Sequence, residues 1–387
     1  MLIYYLILFV IILPSILSQL EKDKRYFLFA ILILGAFLCT SYMPGSDWIG
    51  YEEAYRTYQS KGIVDDDHTE LGFKLLFTSF ATLGIDFWWF FISGKIFCFV
   101  VFIKRLLRYT KGKYAWGLVF LYGYAFLYAF IDCPFRNLLA ATFMLLAMDN
   151  IISGNKFRIF LFTLISVSIH ISALIVLPIY YFVYKRKRLF NKTILIVILF
   201  VEFTSFTILW SSGLADQIQV AASFIFGDFK NVNYVIQKGS GFSFGLIAII
   251  LIYIWVLIGI KEDKLTDIQK FICNLSPFYM FFYISFYFIP MTNRFTLFFL
   301  IPFSCVLSIG IYHAKKSIIK TGILCLFVMF LSIAMKNTIT LDHRYVPYTS
   351  YLQYIFREKP RYNYRINYNY NHSPYKNNQQ TIEYITD

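Results

Sequence analysis

Two arginines sit where an apolar chain should avoid them. Arg136 lies in IDCPFRNLLAATF (131–143) and Arg294 in PMTNRF (290–295), each between two long apolar runs. A guanidinium is always charged and presents a planar fork of donors, which suits bidentate binding of a phosphate. A lone arginine at a helix end also snorkels to lipid headgroups. Two of them in tight turns are harder to place that way, because an unpaired charge costs about 2.5–3.5 kcal/mol at membrane mid-depth and less near the surface. His170, in SIHIS (168–172), carries an imidazole that can take a proton, ligate a diphosphate or simply cap a turn. Asp47 and Glu70 bracket a polar stretch, and a carboxylate there can take a proton from a sugar hydroxyl. Between them Trp48, Tyr51, Tyr55 and Tyr58 recur at helical spacing, with Ser46 or Asp47 placed to cap the helix. Such a face either rests in the membrane interface or stacks on sugar rings. Asp65–Asp67 lack calcium-loop spacing and are expected as a solvated turn.

These residues must be held by membrane helices. Of the 387 residues, 58% are apolar, 21% aromatic and only 15% charged, against about 25% charged in a soluble domain. Spans are expected near 2–20, 26–43, 84–103, 114–131, 137–152, 193–210, 243–260, 268–289, 295–312 and 320–336. The run 159–184 is too short for two full crossings, yet basic residues flank both of its ends. A short helical hairpin turning near SIHIS reconciles the two facts, provided other helices bury its apex. The fold expected is all-α and polytopic, with about 11–12 transmembrane helices counting the hairpin as two. With that threading the short loops on one side hold 20 lysines and arginines and those on the other hold 6, so the first side is cytoplasmic. Arg136, Arg294, His170 and the loop 44–83 then share the outer side, with Trp48, Trp88, Trp89 and Trp210 as an interfacial belt. Within that loop, 71–83 is expected to lie in the interface.

Residues 1–336 are thus expected as one membrane domain, 337–360 as an ordered segment beside it, and the Asn/Tyr-rich 361–387 as a disordered, dispensable tail. Lys95 and Glu202 fall mid-span at matching depth, which predicts an ion pair between helices. The net charge of +14 is spread over short loops and forms no nucleic-acid patch. Six cysteines, at 39, 98, 133, 273, 305 and 325, lack metal-ligand spacing and are expected as packing thiols. The first residues, uncharged up to Glu21, are expected as a span and not as a cleaved signal. No phosphate-loop or dinucleotide fingerprint is present, so nothing points to an energy-coupled transporter or a redox enzyme.

Taken in order, GSDWIGYEEAY, TELGFKLLF, FRNLLAATFMLLA, SIHISALIVLPIY, MTNRFTLFF and YVPYTSYL resemble the EpsG family, a branch of the Wzy-like polysaccharide polymerases. The resemblance runs from about residue 44 to 352. It implies an enzyme of the bacterial cytoplasmic membrane, active on the extracytoplasmic face. Such an enzyme joins oligosaccharide repeat units carried on a polyprenyl (undecaprenyl) diphosphate into capsule, exopolysaccharide or O-antigen. It implies no metal and no cofactor, and as partners the lipid-linked substrate, membrane lipid, a flippase and a chain-length regulator. Arg136 and Arg294 are then expected to bind the diphosphate. Asp47, Glu70 and His170 are candidate bases, and Trp48, Tyr51, Tyr55 and Tyr348 are expected to meet sugars. Three rivals stay open: a flippase for the same lipid, another membrane transferase, and a non-catalytic organiser of a synthesis complex. A flippase would line a deep central path with cations, a ligase would carry His and Arg in a large late outer loop, and an organiser would tolerate loss of both arginines.

Overall fold

In hydrocarbon a backbone must satisfy its own polar groups, so apolar runs of this length fold as helices. The computed structural model describes the chain except residues 1, 22–23, 63–68, 187, 213–242, 290–291, 315–317, 342, 373 and 375–387. Asp65–Asp67, the loop 213–242 and the Trp210 side chain therefore lie outside the described residues. The helices are α1 (Leu2–Glu21), α2 (Lys24–Cys39), α3 (Asp47–Lys61), α4 (Leu71–Thr82), α5 (Phe87–Thr110), α6 (Ala115–Asp132), α7 (Phe135–Ser153), α8 (Lys156–Ile169), α9 (Ala173–Lys185), α10 (Lys192–Ser211), α11 (Phe244–Gly259), α12 (Asp267–Phe286), α13 (Asn293–His313), α14 (Ile318–Leu341) and α15 (Tyr362–His372). Five of them, α6, α7, α10, α13 and α14, are long and apolar enough to cross a membrane. The chain is an all-α, multi-pass membrane protein.

Packing sorts these helices into a centre and a rim. In α13, 89% of the span is buried, in α6 83% and in α7 78%, whereas α10 has only 11% buried. Yet α10 leaves Ile194, Val197 and Val201 exposed, as a helix that faces lipid does, and keeps its one carboxylate, Glu202, buried. Local signals mark the helix starts. Asp86 Oδ1 accepts from Trp88 N at 2.9 Å at the head of α5, and Asn155 Oδ1 accepts from Arg158 N at 3.1 Å at the head of α8.

The run 159–184 folds as α8 and α9, which meet at a turn over His170–Ser172. Ser166 Oγ donates to the Ala140 carbonyl of α7 at 2.7 Å, and the Tyr180 hydroxyl to the Phe298 carbonyl of α13 at 2.6 Å. These bonds pin the hairpin to the central helices. Gly72 lets α4 cross the hairpin closely, since a Cβ there would sit 2.3 Å from Ser168 Oγ.

Two expectations fail. Lys95 and Glu202 are not paired with each other: Lys95 Nζ donates to Ser41 Oγ at 2.8 Å, and Glu202 accepts from Ser285 Oγ at 2.8 Å. Matching depth says nothing about which way a helix face turns. Here α5 packs on α13, α2, α7 and α12 and α10 on α12 and α11, so the two helices share a neighbour while their charged side chains turn to different serines. Lys95→Met and Glu202→Gln should therefore shift the melting temperature of the detergent-solubilised protein additively, within about 0.5 kcal/mol. A double variant more stable than either single one would reinstate the pair.

The second failure is the first part of the tail, where α15 is a folded helix over Tyr362–His372; the expectation for 375–387 falls outside the described residues. Arg365 and Asn369, four apart, turn the same way and are both buried. Arg365 Nη1 and Nη2 each donate to Glu52 of α3 at 2.6 Å. Asn369 Nδ2 donates to the Pro347 carbonyl at 3.0 Å, and the Tyr362 hydroxyl to the Ile49 carbonyl at 3.2 Å. The segment between α14 and α15 also pairs with the end of α2: Tyr351 N donates to Thr40 O at 2.7 Å and Tyr42 N to Thr349 O at 3.1 Å.

Candidate functional site

The site is organised around an unusual helix end. Leu121–Asp132 wind as a π-helix, whose wider turn bonds each N–H five residues back. The last such bond runs from Cys133 N to Tyr128 O at 2.9 Å. Tyr124, Tyr128 and Asp132 fall at intervals of four along it, and all three line a cavity of about 870 Å³. Gly45 closes against this end with φ of 87°, and a Cβ there would lie 2.2 Å from the Ile131 carbonyl.

Two long helices begin at the same cavity. Arg136 is in the first turn of α7 and Arg294 in the first turn of α13. Asn137 Nδ2 donates to the Arg294 carbonyl at 2.8 Å and locks the two starts together. Both helix N-termini turn their positive ends to this cavity, in addition to the guanidinium charges. A third arginine, Arg344, lines the cavity from the segment after α14. Its Nη1 donates to Ser46 Oγ at 2.8 Å and to Asp132 Oδ1 at 3.3 Å.

Glu70 ties the hairpin to the α6–α7 turn. Its Oε2 accepts from Arg136 Nη1 at 3.0 Å, while Oε1 meets His170 Nδ1 at 2.7 Å and accepts from Ile171 N at 3.2 Å. Burial works to raise its pKa, but the His170 bond, the backbone donor and the Arg136 charge outweigh that and hold it at about 2. An ionised Glu70 only accepts, so Nδ1 of His170 is the donor in their bond, and His170 itself lines the cavity. Glu70, with both oxygens occupied, is suited to positioning and poorly suited to accept a proton.

Asp47 has the opposite environment. Burial and the neighbouring charge of Asp132 push it up to about 7, against the weaker pull of Arg344, the Ser46 hydroxyl and Arg136. It lines the 870 Å³ cavity and also a second chamber, of about 430 Å³, between α3 and α4. Tyr51 and Arg136 line both as well. Tyr51 OH accepts from Arg136 N at 3.4 Å, and burial keeps its phenol protonated.

Trp48, Tyr55 and Tyr348 are not placed to meet sugars. Trp48 and Tyr55 are each only 2% exposed. Trp48 Nε1 donates to the Gly45 carbonyl at 3.1 Å, and Tyr55 packs on Phe77, Phe87 and Phe90. Neither has a face left for a sugar; the stripe at helical spacing is mostly the side by which α3 packs. Trp88 is likewise in the core, while Trp89 is half-exposed. Tyr348 stacks on Phe37 at 4.3 Å and donates to its carbonyl at 2.6 Å, away from both chambers. Arg344 and Asn137 were missed. The only trace of Arg344 was a charged LDHRY directly after the last span, on the side already holding Arg136.

The matched order of FRNLLAATF, SIHIS and MTNRF now has a spatial meaning, since their charged residues line one cavity. The EpsG family model matches residues 24–354. The chain belongs to the EpsG family. No curated protein and no solved structure matches it. Membership of the EpsG family fits a membrane polysaccharide polymerase, and all of the cavity-lining residues lie within the matched region. The EpsG match ends before α15, so the buried Glu52–Arg365 pair joins a matched residue to one beyond it.

Proposed function

We propose that the chain is a glycosyltransferase-type polymerase. It joins polyprenyl-diphosphate-linked oligosaccharide repeat units into capsule, exopolysaccharide or O-antigen on the outer face of the bacterial cytoplasmic membrane. The observation that carries this reading is three arginines and an aspartate of raised pKa lining one cavity. In the reaction, the hydroxyl oxygen of the acceptor unit attacks the anomeric carbon of the donor glycan. The bond from that carbon to the diphosphate oxygen breaks, and the diphosphate leaves with the electron pair. Arg136, Arg294 and the two helix N-termini stabilise the charge that develops on it. The hydroxyl proton passes to Asp47, which near neutral pH is poised to accept it, or to Nε2 of His170. Glu70 orients both His170 and Arg136. The chambers of about 870 and 430 Å³ that meet at Asp47, Tyr51 and Arg136 suit two substrates approaching one reaction centre. The chemistry draws on no cofactor.

A flippase would need a cationic path through the bundle. Lys95 is fully buried and bonded to Ser41, which does not fit such a path. The discriminating experiment uses a deletion strain complemented with wild type, Asp47→Asn or Arg294→Ala, with surface glycan length read on a gel at matched membrane levels. The reading expects long chains from wild type and single surface repeat units from the variants. Absence of any surface repeat unit would move the defect to export. In purified protein, kcat/KM of wild type should rise as pH passes about 7, because the base must lose its proton. A profile unchanged in Asp47→Asn would transfer the role to His170.

A further inference from the structure

An apolar slot of about 690 Å³ lies between α11, α14 and the π-helical part of α6. Leu251, Ile252, Leu326, Met329 and Phe330 form its walls. It is open sideways, since Leu251 is 60% and Leu326 53% exposed, so in a bilayer its mouth faces acyl chains. Gly245, Ala248 and Ala334 leave its lining shallow where larger side chains would fill it. The slot does not end blindly. Tyr124, Asn337 and Thr338 line both it and the cavity that holds the arginines. Tyrosine hydroxyls mark the junction: Tyr124 donates to Tyr283, whose own hydroxyl is 3.0 Å from that of Tyr287. From Ile323 to Asn337 the slot follows about 21 Å of α14 at about 1.5 Å per residue, a large part of a hydrocarbon core about 30 Å thick.

We infer that this slot holds the polyprenyl chain of a lipid-linked substrate, lying along α14 with its diphosphate turned into the arginine cavity at Asn337. The inference rests on the reading of that cavity given above. What singles out a prenyl diphosphate as occupant is the continuity of the two spaces. An apolar groove alone takes any chain, but this one delivers the head of its occupant to Arg136, Arg294 and Arg344. A prenyl diphosphate carries its phosphates directly on the chain, with no glycerol between, so the charge arrives where the slot ends. The chain itself is uncharged and branched, and the slot offers it apolar walls with small residues between the large ones.

The test uses the full-length protein in lipid nanodiscs and a prenyl diphosphate with a benzophenone in its tail as photoprobe. Labelled peptides are mapped by mass spectrometry, with no turnover required. The expected result is labelling within 244–252 and 323–337 that excess unlabelled polyprenyl diphosphate removes and phosphatidylglycerol does not. Ala248→Trp or Ala334→Trp should weaken this labelling about tenfold by filling the slot. Should either variant fold poorly, Ala248→Leu makes the same obstruction with less volume. Equal displacement by phosphatidylglycerol, or labelling on other helices, would overturn the inference. If the specific labelling is found but purified protein does not extend a lipid-linked repeat unit, the polymerase reading falls and the slot assignment stands.

Discussion

Arg136→Ala is expected to slow chain extension by about 10²- to 10³-fold, the loss usual when one preorganised donor is removed from a developing charge. The fold should survive. Glu70 keeps His170 and the Ile171 amide as partners, so the hairpin stays attached to α4. Arg136→Lys should rescue little, since an ammonium cannot both hold Glu70 and present a second donor to a diphosphate in one plane. The measurement is initial rate on a purified lipid-linked repeat unit, with the melting temperature checked for each variant. A rate within a few-fold of wild type would reduce Arg136 to an anchor and leave the diphosphate to Arg294 and Arg344.

Arg365→Ala should be the most damaging change outside the cavity. Glu52 and Arg365 both have side chains only 4% exposed. Trp88 Nε1 donates to Glu52 at 3.1 Å, and the guanidinium lies 5.3 Å from the Trp48 ring and 5.5 Å from Tyr42. Removing one partner of a buried pair costs about 3–5 kcal/mol, because the other charge is stranded. Arg56, which also bonds Glu52 at 2.7 Å but is half-exposed, softens the loss without abolishing it. A stop after residue 360 should act alike, lowering the melting temperature and the amount of protein in the membrane. Glu52→Gln with Arg365→Met should recover much of the stability, since no charge is then left unpaired. If the chain cut at 360 melts and works like wild type, the pair is only an ornament of the surface of α3.

Much of the architecture was legible because charge and apolarity are strong, one-dimensional signals. The basic flanks of 159–184 demanded that the chain return to the side it came from, and α8 and α9 meet at His170. The gathering of Arg136, Arg294 and His170 followed from placing them at the same end of their helices, and all three line one cavity. What failed needed knowledge of azimuth. The stripe of Trp48, Tyr51, Tyr55 and Tyr58 was recognised as a helix face, but spacing cannot say whether that face meets substrate or core. Tyr51 reaches both chambers and Tyr58 the smaller one, while Trp48 and Tyr55 line neither. Depth alone likewise paired Lys95 with Glu202, whose side chains turn to Ser41 and Ser285 instead. The tail was misjudged because Asn/Tyr-rich composition resembles an unstructured segment. The order of α15 comes from bonds to residues far upstream or in the preceding segment: Arg365 to Glu52, Tyr362 to Ile49 and Asn369 to Pro347.

The backbone pairing of 344–351 with 40–45 also governs how the protein is made. Gly45 N donates to the Arg344 carbonyl at 2.8 Å, and Ser41 bridges Ser350. Asp47 and Tyr51 leave the ribosome well before Arg344, which follows α14 and supplies the wall beside them. A nascent chain inserted up to α13 already holds Arg136, His170 and Arg294, but not the clamp that fixes α3 beside them. On the function proposed above, a chain cut before Arg344 lacks that clamp and is expected to be inactive, even though Arg136, His170 and Arg294 are already in place.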